Sequence, residues 1–238
     1  ATRPRTAKAI ARARRHGGTF ILRIEDTDVD RNRPELVDQI LEAMTWLGLT
    51  WDEGPYRQSE RYDLYREAAA RLHAEGKAYR AFETPEALEA ARKAADAAGE
   101  TFRYSGAGRE IPPAESDRRA AAGEPFVLRL KMPDEPIVVD DIVQGRAEFP
   151  AGSLDDFVLM RSDGHPLYHF SVCVDDVAMG ITHVVRGVDH LPNTPKHVAL
   201  FQALGEHILP QLVRRRDEVG GRRELSLWSA GCSTGEEA

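Results

Sequence analysis

Cysteine is nearly absent from this 238-residue chain: Cys173 and Cys232 lie far apart and share no paired spacing. That excludes a disulfide scaffold and a cysteine-based zinc cluster, and it suits a reducing, cytoplasmic setting. No apolar run approaches the roughly 20 residues of a membrane span, so no membrane partner is expected. Internal repeats and low-complexity tracts are lacking too. Acidic residues are missing from the first 24 positions, where Arg3, Arg5, Lys8, Arg12, Arg14 and Arg15 crowd together. An Arg-rich, acid-poor start is also the composition of a transit peptide. Its unbroken run into a strand favours a folded start instead. The first residue is Ala rather than Met, which is expected of a chain that begins inside a gene.

What is present is ordinary for a globular protein: 42% hydrophobic and 30% charged residues, with a net charge of −7. Net acidity does not forbid nucleic-acid binding when basic residues gather on one face. Thr6 to His16 reads as a helix stopped by Gly17-Gly18, its buried face mostly Ala and Ile10. Thr19 to Glu25 alternates as a strand, with Phe20, Leu22 and Ile24 on one face and Arg23 and Glu25 on the other. Pro34 opens a helix that Gly48 closes, 51–58 reads as a loop, and a further helix ends near Gly76. After Tyr79 the character changes. Thr84-Pro85-Glu86 caps an Ala-rich helix to about Ala98, then come a loop with Gly106, Gly108 and Pro112-Pro113, and short alternating runs with a turn at Gln144-Gly145. From Asp156 strand and helix material returns. Asp175-Asp176 leads into a helix-like stretch, Ile181 to Arg186 reads as a strand, and Asn193-Thr-Pro195 begins a helix through Leu204. Strand–helix alternation split by a small α+β insertion fits a doubly wound α/β fold, whose ligands gather at the strand C-termini.

Three features stand where such a fold places a site. Arg23-Ile-Glu25-Asp-Thr-Asp28 ends a strand, and Glu25 is a full-charge acceptor for an ammonium group. The plainer reading is that Asp26, Thr27 and Asp28 cap and turn. Tyr168 can place a hydroxyl in a pocket, although spacing alone favours a core tyrosine. Arg186 ends an apolar run, where a guanidinium suits bidentate capture of a carboxylate; an ion pair with Asp189 explains it equally well.

Taken together, the phrases Phe20 to Asp28, Trp46-Leu-Gly-Leu, Trp51 to Tyr56, Gln58-Ser-Glu-Arg61, Gly76-Lys-Ala-Tyr79, Val174-Asp-Asp176, Met179 to His183 and Val185-Arg186-Gly resemble glutamyl-tRNA synthetases over about the first 205 residues. The resemblance implies a truncated class I synthetase with a Rossmann-type parallel sheet. Residues 1–78 would form the first half of the catalytic domain, 79–152 an inserted domain that binds the tRNA acceptor stem, and 153–206 the second half. It implies L-glutamate and tRNA as partners, with ATP as co-substrate and Mg2+ beside it. Glu25 would recognise the amino acid's α-amino group, and Tyr168 and Arg186 would line the glutamate pocket, Arg186 facing the side-chain carboxylate. Some relatives hold zinc in the insertion; the matching positions are similar to Ala81, Glu83 and Gly108, so no zinc is expected.

The resemblance fails at both ends. The family's Pro-Ser-Pro-Thr-Gly strand and the His-x-Gly-x motif that clasps ATP phosphates have no counterpart in Ala1 to Thr6, and no Lys-Met-Ser-Lys-Ser-like loop follows Glu206. No catalytic residue is therefore assigned, and an inactive chain is expected, with a non-catalytic tRNA- or glutamate-binding remnant as the alternative. Residues 207–238, ending in Trp228-Ser-Ala-Gly-Cys-Ser-Thr-Gly-Glu-Glu237, resemble the start of chemotaxis-receptor glutamate methyltransferases, with a strand at Leu225 to Trp228 and a Gly-containing turn. A junction of two gene fragments near Glu206 is expected.

Overall fold

A computed structural model describes residues 10, 13–27, 33–181, 184, 187–205 and 225–227. The chain divides into two compact units: Ala1–Tyr65 with Ser171–Pro192 and Leu204–Ala238, and Arg66–Phe170 with Asn193–Ala203.

The first unit is organised on β1 (Thr19–Ile24), the middle strand of a three-stranded parallel sheet. On one side lies β2 (Glu53–Arg57), on the other β8 (Leu225–Leu227), which pairs with Thr19 to Ile21. Leu225 to Leu227 of the expected strand at 225–228 are thus found in one; Trp228 lies outside the described residues. A helical turn at 13–15 precedes β1. It ends where Gly17 takes φ +65° and the Gly18 N–H reaches back to the Ala13 carbonyl at 2.8 Å, a glycine-dependent C-terminal cap. Phe20, Leu22 and Ile24 do share a face, packed with Ala13, Ile10 and helix α1 (Pro34–Trp46), which contributes Val37 and Met44.

One expectation needs correction here. Residues 51–58 are not a loop, since 53–57 form β2. Its exposed residues, with Gly54 and Pro55 among them, carry no alternation to announce a strand. The opposite face of β1, which carries Arg23, is an interior as well. Ile21 packs against Met179 and Ile181, and Arg23 is fully buried. A central parallel strand is covered on both sides, so strand alternation sorts side chains between two interiors instead of between core and water.

The second unit contains an antiparallel sheet of order β3 (Ala78–Ala81), β4 (Val127–Leu130) and β7 (Val158–Met160), and a hairpin of β5 (Ile137–Asp141) with β6 (Gly145–Phe149). Helix α2 (Tyr62–Ala74) begins in the first unit and carries a buried stripe of Tyr65, Ala68, Ala69 and Leu72. In α3 (Pro85–Ala97) Thr84 is the N-cap, its hydroxyl accepting from the Ala87 N–H at 3.2 Å. Helix α4 (Pro113–Ala121) stands where a loop was expected. Only Ser116 of it is buried, which leaves no apolar stripe to reveal it. Helix α5 (Tyr168–Ala178) begins before the two aspartates, which lie inside it rather than ahead of a helix, and α6 spans 194–205. The expected strand at 181–186 falls partly outside the described residues; positions 181 and 184 are in no strand. Among the described residues no helix is long and apolar enough to cross a membrane.

Asp156 ties this unit together. It accepts from Tyr79 Oη at 2.5 Å, Arg109 Nε at 2.6 Å and the Met132 N–H at 2.9 Å, while its carbonyl accepts from Arg129. Gly108 packs flat on the Tyr79 ring, where an added Cβ would sit 2.7 Å from Cε2. Burial alone would raise the Asp156 carboxyl, but these donors outweigh it and hold it below the ordinary carboxylate value. A depressed carboxyl lends stability above its unfolded pKa of about 3.9, and that stability is lost as pH falls through the folded value. Asp156→Asn is therefore expected to cost about 2–3 kcal/mol at neutral pH. The gap from the parent should close in acid, as urea denaturation at both pH values will show.

Candidate functional site

The C-terminal end of β1 carries a buried ionic cluster. Arg23 is wholly buried on a strand whose neighbours are isoleucine and leucine, so its guanidinium must find its charge partners inside the protein. Helix α5 supplies two of them. Arg23 Nη1 donates to Asp176 Oδ1 at 2.8 Å, and Nε lies 3.7 Å from Asp175 Oδ2. The third lies just past its own strand, two residues on: Nη2 donates to Glu25 Oε1 at 3.3 Å. Burial would lower the guanidinium's pKa; Asp176, then Glu25 and Asp175, reverse that, and the net direction is up. Arg23 is a permanent cation in this cluster.

Asp175 is the hub beneath it. Its carboxylate accepts from Arg61 Nε at 2.7 Å, Gln58 Nε2 at 2.8 Å and Tyr65 Oη at 2.9 Å. Asp26 makes a separate clamp, accepting from the Ser59 N–H at 2.9 Å and its hydroxyl at 2.8 Å. Asp26 thus has a structural role, but one at long range and not a local cap: it fastens the end of β1 to the 58–60 turn.

Glu25 differs from both aspartates. It stands one residue past the strand with its side chain 7% exposed. Burial pushes its carboxyl up, and Arg23 only partly offsets this. Among the described residues it is engaged through Oε1 alone. A buried carboxylate with a raised pKa, engaged through one oxygen among the described residues, can accept a cation that replaces its lost solvation.

Tyr168 is not the core tyrosine that its spacing favours. It starts α5 at 42% exposure, its ring edge-on to His169 with centroids 5.3 Å apart. Arg186, His183 and Asp28 lie outside the described residues, so the choice between carboxylate capture and an ion pair with Asp189 rests on chemistry alone. At the positions compared with zinc ligands, Ala81 is buried, Glu83 accepts from Tyr104 Oη at 3.0 Å, and Gly108 holds its place on Tyr79. Among the described residues no three His, Cys, Asp or Glu side chains are grouped to hold a metal ion.

Sequence reasoning missed Arg23 and the donors Gln58, Arg61 and Tyr65. One signal was available for Arg23: a charged residue inside the apolar run Phe20-Ile-Leu-Arg-Ile24 must have internal partners. The donors gave none, because their convergence on Asp175 depends on chain separations of 110 residues and more.

Residues 9–216 match the family model for the catalytic domain of class I tRNA synthetases (E and Q). The chain is 50% identical over 195 residues to a glutamate–tRNA ligase of Coprothermobacter proteolyticus, covering 81% of this chain and 42% of that protein. It is 52% identical over 194 residues to the glutamate–tRNA ligase of Geobacter sulfurreducens, covering 81% and 40%. A crystal structure of a glutamate tRNA ligase from Elizabethkingia meningosepticum in complex with its amino acid superposes with a TM-score of 0.78 at 36% identity, covering 94% of this chain and 45% of that one. The chain thus spans about two-fifths of the length of the curated relatives it matches.

Proposed function

Because the chain belongs to the class I tRNA synthetases of the glutamate and glutamine group, we propose that it serves the glutamate–tRNA ligase reaction, in which ATP activates L-glutamate for transfer to tRNA. The observation that carries this reading is the Glu25 carboxylate, buried at the end of a parallel strand and backed by Arg23. An ammonium group meeting it gains a charge-assisted hydrogen bond in a site of low dielectric. A dicarboxylate substrate also needs a cation at its far end, and a forked one adds direction. By family resemblance Arg186 takes that role, Tyr168 is assigned to the same recognition, and residues 79–152 to the acceptor stem. ATP and Mg2+ enter as the family's co-substrates, and the setting of the reaction is the cytoplasm.

The motifs that clasp ATP phosphates belong, on the same resemblance, to segments without a counterpart in these 238 residues. This polypeptide by itself is then a glutamate-recognising module that activates nothing. Calorimetry should detect L-glutamate binding, and Arg186→Lys should weaken it roughly tenfold by losing one of two charged hydrogen bonds. Unchanged affinity in the variant removes Arg186 from the site. Glutamate-dependent pyrophosphate exchange by the chain would overturn its inactivity.

The methyltransferase-like character of 207–238 is retained as a proposal for the origin of 217–238 only, because the synthetase family match runs to residue 216. The strand at Leu225–Leu227 is compatible with it. Binding of S-adenosylmethionine would give the segment a function of its own.

A further inference from the structure

We propose that Arg23 is the positioning residue of the ammonium site: clamped from behind by Asp176, with the Asp175 carboxylate 3.7 Å from its Nε, it holds one oxygen of Glu25, while the other, which has no partner among the described residues, meets the ligand. The inference rests on the reading of Glu25 given above. Its geometry is independent of that reading. A guanidinium has five donors in a fixed plane, so partners on two sides define its orientation. Here Nη1 is taken by Asp176 at 2.8 Å and Nη2 by Glu25 at 3.3 Å. Full burial denies Arg23 any exchange of these partners for water. Asp175 is itself immobilised by Gln58, Arg61 and Tyr65, so the clamp is anchored to two further segments of the chain. The contact to Glu25 is the longest of the hydrogen bonds to a carboxylate in this cluster. Arg23 therefore orients Glu25 without neutralising it, because its charge is shared with two aspartates. That is what a receptor for a second cation requires.

Among the described residues the charged groups facing Glu25 are Arg23, two residues before it, and Asp176 and Asp175 on α5. They act on it with opposite signs, and the test uses this. L-Glutamate affinity would be measured by calorimetry from about pH 5 to about pH 8, with glutarate, which lacks the amino group, as reference. Ammonium binding needs the Glu25 carboxylate, so affinity falls as pH drops through its titration. Asp176→Asn keeps an acceptor oxygen for Arg23 but removes a repelling charge, so the midpoint should move down. Arg23→Met removes the attracting charge, and the midpoint should move up by about one unit or more, a loss of about tenfold at a fixed pH below it. Arg23→Lys keeps the charge but not the fork, so affinity falls while the midpoint stays. Glutarate binding should change less than about twofold throughout.

Midpoints that move in the same direction in Asp176→Asn and Arg23→Met, or do not move, overturn the inference. If Arg23→Met does not fold, Asp176→Asn and Arg23→Lys decide: an unmoved midpoint in the first or a moved one in the second overturns it. A parent chain that binds glutamate no better than glutarate sinks the Glu25 assignment itself.

Discussion

Asp175→Ala is expected to cost about 3–5 kcal/mol of folding stability, the largest effect of any single side-chain truncation in the first unit. The carboxylate has no exposure and is met by four groups: Arg23, Gln58, Arg61 and Tyr65. Truncation leaves a buried guanidinium short of a counter-charge and a buried amide and phenol without their acceptor. Each of those losses carries a desolvation penalty that no water can relieve. Asp175→Asn should cost less, because one acceptor oxygen survives while an amide nitrogen faces the remaining donors. Urea denaturation separates the two variants through their midpoints at constant slope. A loss below about 1 kcal/mol for the alanine variant would show that the cluster is not what joins α5 to β1 and the 58–65 segment. The Tyr65 phenol gives a second readout. Burial and the adjacent Asp175 both push its ionisation up, so the alanine variant should bring it back toward the ordinary value near 10.

Gly54→Ala is expected to cost about 2–4 kcal/mol, through backbone and not through lost contacts. Gly54 takes φ +96°, in the region that a side chain disfavours. A Cβ there would stand 2.3 Å from the Leu22 carbonyl oxygen and 2.9 Å from the Tyr56 nitrogen, both backbone atoms. Neither can give way without moving the pairing of β1 and β2. The register explains the close approach: Ile21 stands opposite Glu53, yet Arg23 stands opposite Tyr56, so β2 carries one extra residue at this point. The disturbance would fall beside Arg23 and two residues short of Glu25. Gly48→Ala is the control. Its φ is +70°, but nothing lies within 4 Å of the added atom, so only the conformational cost of about 1–2 kcal/mol remains. Thermal melts of the two variants should therefore differ clearly, and equal losses would refute the steric account.

Much of this molecule was legible locally. The stop at Gly17, the cap at Thr84, the hairpin turn before Gly145 and the two-sided alternation of β1 follow from rules that act within a few residues. The same holds for Glu25 as a candidate, since a carboxylate at a strand end is visible in the sequence. Helix α4 was not legible, for its exposed face offers no periodic apolar signal. Nor was β2, whose strand character lies in pairing with β1 and not in its own Gly-Pro sequence. Tyr168 was misjudged in its surroundings because spacing cannot tell a buried ring from one at the exposed start of a helix.

The sequence by itself determined the family, the element types with strong local signals, and the chemical kinds of group available at the end of β1. Only the tertiary structure decided what those groups do to one another. Whether Arg23 is a surface cation or a buried clamp depends on Asp175 and Asp176, more than 150 residues away along the chain. The physical reason is that charge interactions take their strength from burial and distance, and both are properties of packed segments. A short stretch of sequence carries neither.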